Sequence, residues 1–379
     1  MADVTGNDST NADSTNADSA KAGSPSTYST ASSHSPVTPA TLIPAIVTPA
    51  TMTTWRSLAE VPKSLGPAIV TLGNFDGVHR GHQAVLTRMV ADARERGQVA
   101  IAMTFNPHPK AVHDPAHPPV LITGIDDRLE RLADTGLDGA LVVRYTLDFA
   151  QQTAEDFVRT YLVEGLRAAT VVVGRDTRFG RGNAGDVNTM RELGEKFGFA
   201  VEVIDDACAL SQSGRRWSST WVRELLEAGD LPAAADVLGR PHRLRGTVIH
   251  GDALGRTIGF PTANLDVSAG MIPRHGVYAG WLTVLDARDN ALAAGLVGSP
   301  MKAAVSLGHN YTVGGSDLRV EAFALDAVGI DIYDTEVALD LVQWRRPMLD
   351  FGSIEALTTA LDEDVVWTRD VLTEGHDAT

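Results

Sequence analysis

The sequence predicts an α/β fold joined to a β fold: a first domain with a parallel sheet covered by helices on both faces, then an antiparallel β-barrel with a C-terminal helix. Apolar runs alternate with helical stretches from 67 to about 210, and short strand-like segments punctuated by Gly, Pro, Asn and Asp follow over 243–345. A last stretch after Ser353 has an apolar stripe at helical spacing. Strands that alternate with helices need crossover connections and hence a parallel sheet, whereas short strands separated by turn residues are typical of a barrel.

Composition divides the chain into three parts. Residues 1–54 form a tail rich in Ser, Thr, Ala, Asn, Asp and Pro, which cannot bury a core and is predicted to be disordered. The alternation of strands and helices defines a domain over 55–239, and the barrel with its last helix occupies 240–379. The boundary follows two short predicted helices that end at Gly239.

The strands and helices follow from the apolar pattern. Apolar residues at helical spacing predict helices over 83–96, 126–135, 153–166 and 186–197, and Ser353 is the predicted N-cap of the last helix. The strands of the first domain are predicted at AIVTLGNF, VAIAMTF, ALVVRY, TVVVG and AVEVI. Those of the barrel are predicted at LRGTVIH, GVYAGWLTVLD, KAAVSLG, RVEAFALD and EVALDLVQW.

The composition also excludes several classes of protein. A net charge of −16 argues against a surface for duplex nucleic acid, which needs a basic patch. No apolar stretch approaches the roughly 20 residues that span a bilayer, and the N-terminus lacks a basic start and an apolar core, so we expect a cytoplasmic protein without a membrane partner. The single cysteine, Cys208, permits no internal disulfide and is interpreted as a packed apolar residue.

Two histidines lie where the first strand gives way to a helix. His79 and His82 follow glycines 73 and 77 and flank Gly81, and these glycines let the backbone approach a ligand closely. The amides at the start of the helix carry a partial positive charge, so both histidines are placed to donate to phosphate oxygens and to stabilise growing negative charge. A hydrogen-bonded turn histidine is the alternative for either one. A metal pair is a further alternative, although no third ligand stands at a familiar spacing.

The segments GNFDGVHRGH, TFNPHP and VGRDTRFGRG each follow a predicted strand at its carboxyl end, where ligands bind to parallel sheets. HRGH resembles the HxGH signature of nucleotidylyltransferases, which transfer AMP from ATP to an acceptor, and SSTWVR at 218–223 resembles their SSTxxR motif. Taken singly, SST is more often only an N-cap. The resemblance implies a Rossmann-like nucleotidylyltransferase domain with His79, His82 and Arg223 as catalytic residues. Its implied ATP-binding residues are Gly73, Asn74, Phe75, Gly81, Ser219 and Thr220.

The intervening motifs narrow the resemblance. TFNPHP at 104–109 and VGRDTRFGRGNAGD at 173–186 resemble the corresponding stretches of bacterial FMN adenylyltransferase, the FAD synthetase module. Thr177 stands where that family has an aromatic residue, which makes this position a departure. A metal-binding tract is the alternative for His108, His113 and His117, but histidines in a loop punctuated by prolines are more often solvated. The implied flavin-binding residues of this domain are Asn106, His108, Pro109, Asp176 and Phe179.

The barrel carries a second candidate site in GTVIHGDALGRTIGFPTAN, residues 246–264. Its glycines bring backbone amides close to a phosphate, and Thr262 and Asn264 on one face of a strand offer the oxygen ligands that Mg²⁺ prefers. On pattern alone, a Gly-rich hairpin followed by a strand is the alternative.

The same segment resembles the riboflavin kinase signature around PTAN, with companions HGVYAG at 275, AAVSLGHNYTVGG at 303, RVEAFALD at 319 and WRRPMLDFGSIEAL at 344. The resemblance implies that Glu321 deprotonates the riboflavin 5′-hydroxyl, although an outward-facing strand carboxylate is the alternative for this residue. Tyr311 stands where the family has proline. The other implied roles are ATP binding by Gly255 and Arg256, Mg²⁺ binding by Thr262 and Asn264, and flavin binding by Arg346 and Met348.

Over about 65–372, the chain resembles the bacterial bifunctional riboflavin kinase and FMN adenylyltransferase family. The implied activity is phosphorylation of riboflavin to FMN and adenylylation of FMN to FAD, with Mg²⁺, ATP, riboflavin and FMN but no permanently bound organic cofactor. No nucleic-acid partner is implied, and a homo-oligomer is left open. Two alternatives remain: one module is silent, or the chain is a non-catalytic regulator that binds flavin or nucleotide.

Overall fold

The computed structural model describes residues 52–204, 214–251, 254–309, 318–325, 327 and 329–373. Most of the predicted tail, Cys208 and the departure at Tyr311 lie outside the described residues, as does the side chain of Arg256.

Within the described residues, six parallel strands form the sheet of the first domain, in the order β1-β4-β3-β2-β5-β6. The three-residue edge strand β1 is absent from the sequence prediction because so short a segment carries no periodicity. The strands are β1 (Thr53–Trp55), β2 (Ala68–Leu72), β3 (Val99–Asn106), β4 (Gly139–Arg144), β5 (Ala168–Gly174) and β6 (Ala200–Ile204).

Helices cover both faces of this sheet. Ile69 and Val70, neighbours on β2, belong to different apolar clusters, one on each face, as the two-residue period of a buried strand requires. The predicted helices are present with ends shifted by a few residues, and α1 starts before 83 because His79 takes the extended N-cap conformation. The helices are α1 (Arg80–Arg96), α2 (Pro109–His113), α3 (Ile125–Ala133), α4 (Leu147–Ala150), α5 (Ala154–Phe157), which continues as a wider helix over Val158–Gly165, and α6 (Val187–Phe197).

Two helices, α7 (Ser219–Ala228) and α8 (Leu231–Leu238), lead into a closed barrel. Its described strands are all antiparallel and follow the order β10-β11-β8-β7-β12-β9, with β9 and β10 closing the ring. They are β7 (His242–Ile249), β8 (Ala263–Ala269), β9 (Gly276–Asp286), β10 (Pro300–His309), β11 (Leu318–Ala324) and β12 (Glu336–Arg346), with the one-turn helix α9 (Leu254–Thr257) before β8.

The C-terminal helix α10 (Ile354–Thr373) packs against β9 and β10. As predicted, Ser353 caps it, because the Ser353 hydroxyl oxygen accepts a hydrogen bond from the Ala356 amide at 3.2 Å. The predicted fold class is therefore confirmed in both parts. Among the described helices, none combines the length and the apolar character that crossing a membrane requires.

The two helices before the barrel share its core. Val222 and Leu226 of α7 and Leu231 of α8 are buried in the same apolar cluster as Leu244 and Leu341 of the barrel. These helices precede the boundary that composition predicts near 240, so apolar packing crosses that point.

Ion pairs add to the contact between the sheet domain and the barrel. Arg245 of β7 reaches Glu130 of α3 at 3.0 Å and Glu336 of β12 at 2.6 Å, while Arg243 binds both oxygens of Asp340 at 2.8 and 2.7 Å. Because these arginines are mostly buried, solvent screens the pairs less than it screens exposed ones.

Candidate active sites

A cavity of about 770 Å³ opens at the carboxyl ends of the parallel strands, where the sequence predicts the first site. Asn106 and Thr220, at the end of β3 and the start of α7, are not among the residues that line it. The predicted residues that do line it are Gly73, Asn74, Phe75, His79, Gly81, His82, His108, Pro109, Asp176, Phe179, Ser219 and Arg223.

The two histidines stack on each other at the start of α1. Their ring centroids are 3.8 Å apart and the ring planes meet at 23°. Both Nδ1 atoms are buried, and neither has a hydrogen-bond partner among the described residues. A buried polar atom without a partner is costly, so the fold leaves the polar groups of this cavity-lining pair unsatisfied.

Both imidazoles have lowered pKa values in this arrangement. Burial, with the cations of Arg240 and Arg216 as smaller causes, lowers the pKa of His79 to about 4. Burial also holds the pKa of His82 well below its ordinary value, followed by the effects of His79, Arg128 and Arg216. Arg216 lines the same cavity and forms an ion pair with Asp176 at 3.9 Å. The sequence prediction missed Arg216, although its place just before SST in GRRWSST is a signal that could have found it.

The loop between β2 and α1 is held in left-handed backbone. Phe75, Gly77 and Val78 have φ values of 48°, 80° and 38°. This conformation suits glycine but is unfavourable for a β-branched residue such as Val78, so surrounding contacts must hold it in place. One such contact is a hydrogen bond of 3.1 Å from the Gly77 amide to the Thr123 hydroxyl.

Asp76 is the buried centre of this loop. Its carboxylate accepts hydrogen bonds from the amides of Ile122 and Thr123 at 3.0 and 3.1 Å, and it pairs with the Arg223 guanidinium. The Ser219 hydroxyl donates to the Asp76 carbonyl at 2.8 Å. Asp76 thus ties the HRGH loop to α7, a role that sequence reasoning missed because an Asp-Gly pair is also typical of an exposed turn.

Replacing Asp76 with Ala is expected to lower the free energy of unfolding by about 3 kcal/mol or more, because Arg223 and two buried amides lose their partner. Urea denaturation measures this change. The matched control is Asp126→Ala, which removes an exposed ion pair with Arg56 at 3.8 Å and should cost less than about 1 kcal/mol. Equal losses in the two variants would contradict the central role of Asp76.

Aromatic rings form one wall of the cavity. Tyr145 lies edge-on to Phe105 and Phe149 at centroid distances of 5.8 and 5.2 Å, and Phe157 contacts Phe179 at 5.9 Å. Such a surface suits a planar, largely apolar ring system. Sequence reasoning missed Tyr145 and Phe149, although their spacing after the strand ALVVRY is a signal that could have found them.

Two further predicted positions lie on the same cavity. The His108 ring nitrogen Nδ1 accepts a hydrogen bond from the Lys110 amide at 3.1 Å, and burial lowers the pKa of His108. Thr177, where the family pattern has an aromatic residue, also lines the cavity. The aromatic wall is therefore supplied by Tyr145 and Phe149 rather than by this position.

The barrel brings Asn264 and Glu321 together across two strands. They are register partners on β8 and β11, and directly opposed residues project to the same face of a sheet. The glycine-rich loop packs against Asn264 and Thr262: a Cβ at Gly251 would lie 2.2 Å from the Asn264 amide nitrogen, and one at Gly255 would lie 3.5 Å from the Thr262 hydroxyl. At Gly255 a Cβ would also lie 2.2 Å from the Phe260 carbonyl oxygen, so this close approach of backbone requires glycine at 255.

Thr262 and Asn264 supply hard oxygen donors, which suit Mg²⁺. Within the described part of the chain, this site included, no group of three or more His, Cys, Asp or Glu side chains is placed to hold a metal ion.

The predicted flavin-binding residues of the barrel lie at the end of β12. Met348 lies over β10, since a Cβ at Gly308 would come 2.8 Å from its Cγ. The guanidinium of Arg346 binds the buried carboxylate of Asp364 on α10, at 3.1 Å from Nε and 2.5 Å from Nη2. Arg346 thus anchors the C-terminal helix in this structure, a contact that the motif alone did not predict.

The fold and the two sites define a two-domain enzyme of nucleotide and phosphoryl chemistry. A family model described as FAD synthetase matches residues 61–220, and one described as riboflavin kinase matches residues 238–372. The bifunctional riboflavin kinase/FMN adenylyltransferase of Escherichia coli strain K12 is 35% identical over 314 residues, which cover 83% of this chain and 95% of that protein. The Listeria monocytogenes protein of the same name is 35% identical over 304 residues, which cover 79% and 91% of the two chains.

The chain therefore belongs to the family of bifunctional riboflavin kinase/FMN adenylyltransferases. It converts riboflavin to FMN and FMN to FAD, with ATP as the second substrate of both reactions. A solved structure described as a macrolide-efflux protein from Streptococcus pneumoniae covers 84% of this chain and 99% of its own, with a TM-score of 0.71 and 28% identity. That description applies to the pneumococcal protein, and the likeness supports the two-domain fold.

Proposed function

We propose that adenylylation of FMN takes place in the cavity of the sheet domain. The FMN phosphate attacks the α-phosphorus of ATP, the bond to the β-phosphate breaks, and pyrophosphate leaves with the electron pair. The observation that supports this assignment most directly is the stacked His79 and His82 pair, with both Nδ1 atoms buried and unpartnered among the described residues. No covalent enzyme intermediate is needed, because positioning and electrostatic stabilisation carry the rate.

The lowered pKa values of the histidines fit this role. A triphosphate that enters the cavity brings negative charge next to both rings and raises their pKa values above the low values that burial sets. The imidazoles therefore gain positive charge as the substrate binds. This charge lies next to the triphosphate, where negative charge develops during the reaction. Arg223, one turn into α7, adds a planar fork of donors for the departing pyrophosphate, and Ser219 and Thr220 are the first two residues of the same helix.

The flavin ring of FMN is proposed to lie on the aromatic wall. Tyr145 and Phe149 offer ring edges and faces on the side of the cavity that also includes His108, Pro109 and Phe179. Stacking and edge contacts of this kind stabilise a planar ring beyond the burial of its area. Asn106 at the end of β3 and Asp176 after β5 complete the proposed set.

Phosphorylation of riboflavin is proposed to take place at the glycine-rich loop of the barrel. Glu321 accepts the proton of the riboflavin 5′-hydroxyl, the oxygen attacks the γ-phosphorus of ATP, and ADP leaves. Gly255 and Arg256 are proposed to hold the ATP phosphates, and Arg346 and Met348 to border the flavin. Support comes from the direct pairing of Glu321 with Asn264 across β8 and β11.

Thr262 and Asn264 would hold Mg²⁺ at this site, where it would neutralise phosphate charge. We expect Asn264→Ala to raise the Mg²⁺ concentration for half-maximal FMN formation at least about tenfold. The assay gives the purified protein either riboflavin or FMN with ATP across a Mg²⁺ series and separates FMN from FAD. Wild-type protein should make both products, which also tests whether either module is silent.

Asn188→Ala, an exposed position on α6, is the matched control and should leave both Mg²⁺ curves unchanged. The FMN-to-FAD curve of Asn264→Ala should match the wild-type curve as well. An unchanged requirement for FMN formation in Asn264→Ala would argue against the proposed metal site.

We also propose a cytoplasmic location, because both reactions consume ATP. The proposed partners are the small molecules ATP, riboflavin and FMN, with no nucleic acid, and the net charge of −16 supports this. Self-association into a homo-oligomer stays a prediction, and light scattering tests it by measuring the molar mass in solution.

A further inference from the structure

The loop that carries the histidines is held from outside its own domain. Arg240 begins the segment that leads into the barrel, and its guanidinium donates to the Gly77 carbonyl at 2.7 Å, the Val78 carbonyl at 3.3 Å and the Leu238 carbonyl at 3.1 Å. Two of these three acceptors lie directly before His79 in the chain. The third belongs to the last turn of α8, where helix carbonyls have no partner within the helix.

Gln83 of α1 binds two of the same carbonyl groups. Its side-chain amide donates to the Val78 and Leu238 carbonyls, both at 2.7 Å. We call Arg240, Gln83 and the three carbonyls they bind the carbonyl clamp. Next to it, the Arg80 guanidinium donates to the Asp236 carbonyl at 2.6 Å. The HRGH segment is therefore fastened to the end of α8 at several points.

The clamp holds backbone that would otherwise relax. Val78 has a φ of 38°, which a β-branched residue rarely adopts, and its carbonyl accepts hydrogen bonds from both Arg240 and Gln83. The next residue is His79. A rotation of the Val78 peptide would therefore move the stacked imidazole pair relative to the cavity.

We propose that Arg240 is a positioning residue for adenylyl transfer: it fixes the Gly77 and Val78 carbonyls and so sets the place of His79 and His82 without touching the substrate. This inference rests on the proposed assignment of adenylyl transfer to the two histidines. Arg240, which lies at the start of the barrel segment, would thus contribute to the reaction of the sheet domain.

The charge of Arg240 acts on the same loop. Burial lowers the pKa of Arg240 to about 9. This value is still above neutral pH, so the guanidinium is a cation there. This cation and that of Arg216 lower the pKa of His79. The other titratable and charged groups around the cavity are His82, His108, Asp76, Arg223, Arg178, Asp176 and Tyr145, and the buried Arg128 also acts on His82. Loss of the Arg240 charge should therefore raise the pKa of His79 while these groups stay in place.

Arg240→Gln and Arg240→Lys in the full-length chain test the proposal. For Arg240→Gln, we expect kcat of FAD formation from FMN to fall about 10- to 100-fold, as for a small misplacement of catalytic groups, with little change in KM for FMN. The limb of the pH profile of kcat/KM that reports His79 should move to higher pH. Arg240→Lys keeps the charge and should restore that limb and part of kcat. FMN formation from riboflavin, measured on the same preparations, should stay at the wild-type rate.

Arg94→Gln is the matched control, because Arg94 donates to the Gly136 carbonyl at the opposite end of the sheet and should change neither reaction. Equal loss of both reactions in Arg240→Gln, with an unshifted pH limb, would overturn the proposal and leave Arg240 a structural residue. Normal FAD formation in Arg240→Gln beside its loss in His82→Ala would overturn this inference alone. Normal FAD formation in both variants would overturn the proposed site as well.

Discussion

Replacing Glu321 with Gln is expected to lower the rate of FMN formation from riboflavin by about 10²- to 10⁴-fold and to leave FAD formation from FMN unchanged. Glutamine keeps the shape of the side chain and can still accept a hydrogen bond, but it cannot take the proton of the attacking hydroxyl. The neighbours Val320 and Ala322 are buried, so the strand that carries residue 321 is held in place by the barrel core. The loss is therefore expected in kcat rather than in folding.

Separate assays with riboflavin and with FMN measure this effect, since each half of the chemistry serves as the folding control for the other. Asp266→Asn removes an exposed carboxylate from the neighbouring strand β8 and should leave FMN formation near the wild-type rate. If Glu321→Gln also kept the wild-type rate, Glu321 would be the outward-facing strand carboxylate that the pattern alone allows.

Replacing His82 with Ala is expected to lower FAD formation from FMN by about 10²- to 10³-fold, the size of effect seen when one preorganised donor to developing charge is removed. His82 stacks on His79, so its loss takes away one donor and also the ring that orients the other. FMN formation from riboflavin should not change, because the barrel site shares no residue with the cavity.

Stopped assays with FMN and ATP give this rate, and His117→Ala is the matched control because His117 is an exposed loop residue next to Asp114. A wild-type rate of FAD formation in His82→Ala would remove the histidine pair from the mechanism. A regulator that only binds flavin would behave differently from both predictions, since it would bind flavin in every variant and turn over in none.

The fold was predictable because its signals are local. The apolar period of two or of 3.6 residues predicts the strands and helices of both domains, and the residues Ser353 and Gly239 predict where helices begin and end. The edge strand β1 escaped prediction because three residues are too few for any period. The predicted start of α1 was late because the extended conformation at His79, rather than the apolar pattern, fixes where the helix begins.

The candidate site was predictable only where short motifs carry it. HRGH and SSTWVR led to residues that do line one cavity, although they are far apart in the chain. Asp76 and Arg240 could not be found this way, because each contacts backbone groups of a distant segment, and no spacing along the chain predicts such a contact. Arg346 is a different case, because a motif identified the residue itself but not its contact with the buried Asp364.

Helix α7 presents Ser219 and Arg223 to the nucleotide cavity on one face and buries Val222 and Leu226 in the barrel core on the other. A substitution that repacks the barrel core around α7 would therefore also move Ser219 and Arg223. Through this helix, sequence changes in one domain constrain those in the other. Fewer substitutions are therefore expected to be tolerated in the barrel core than riboflavin phosphorylation alone would require. A substitution there that changes the first reaction is expected to change the second as well.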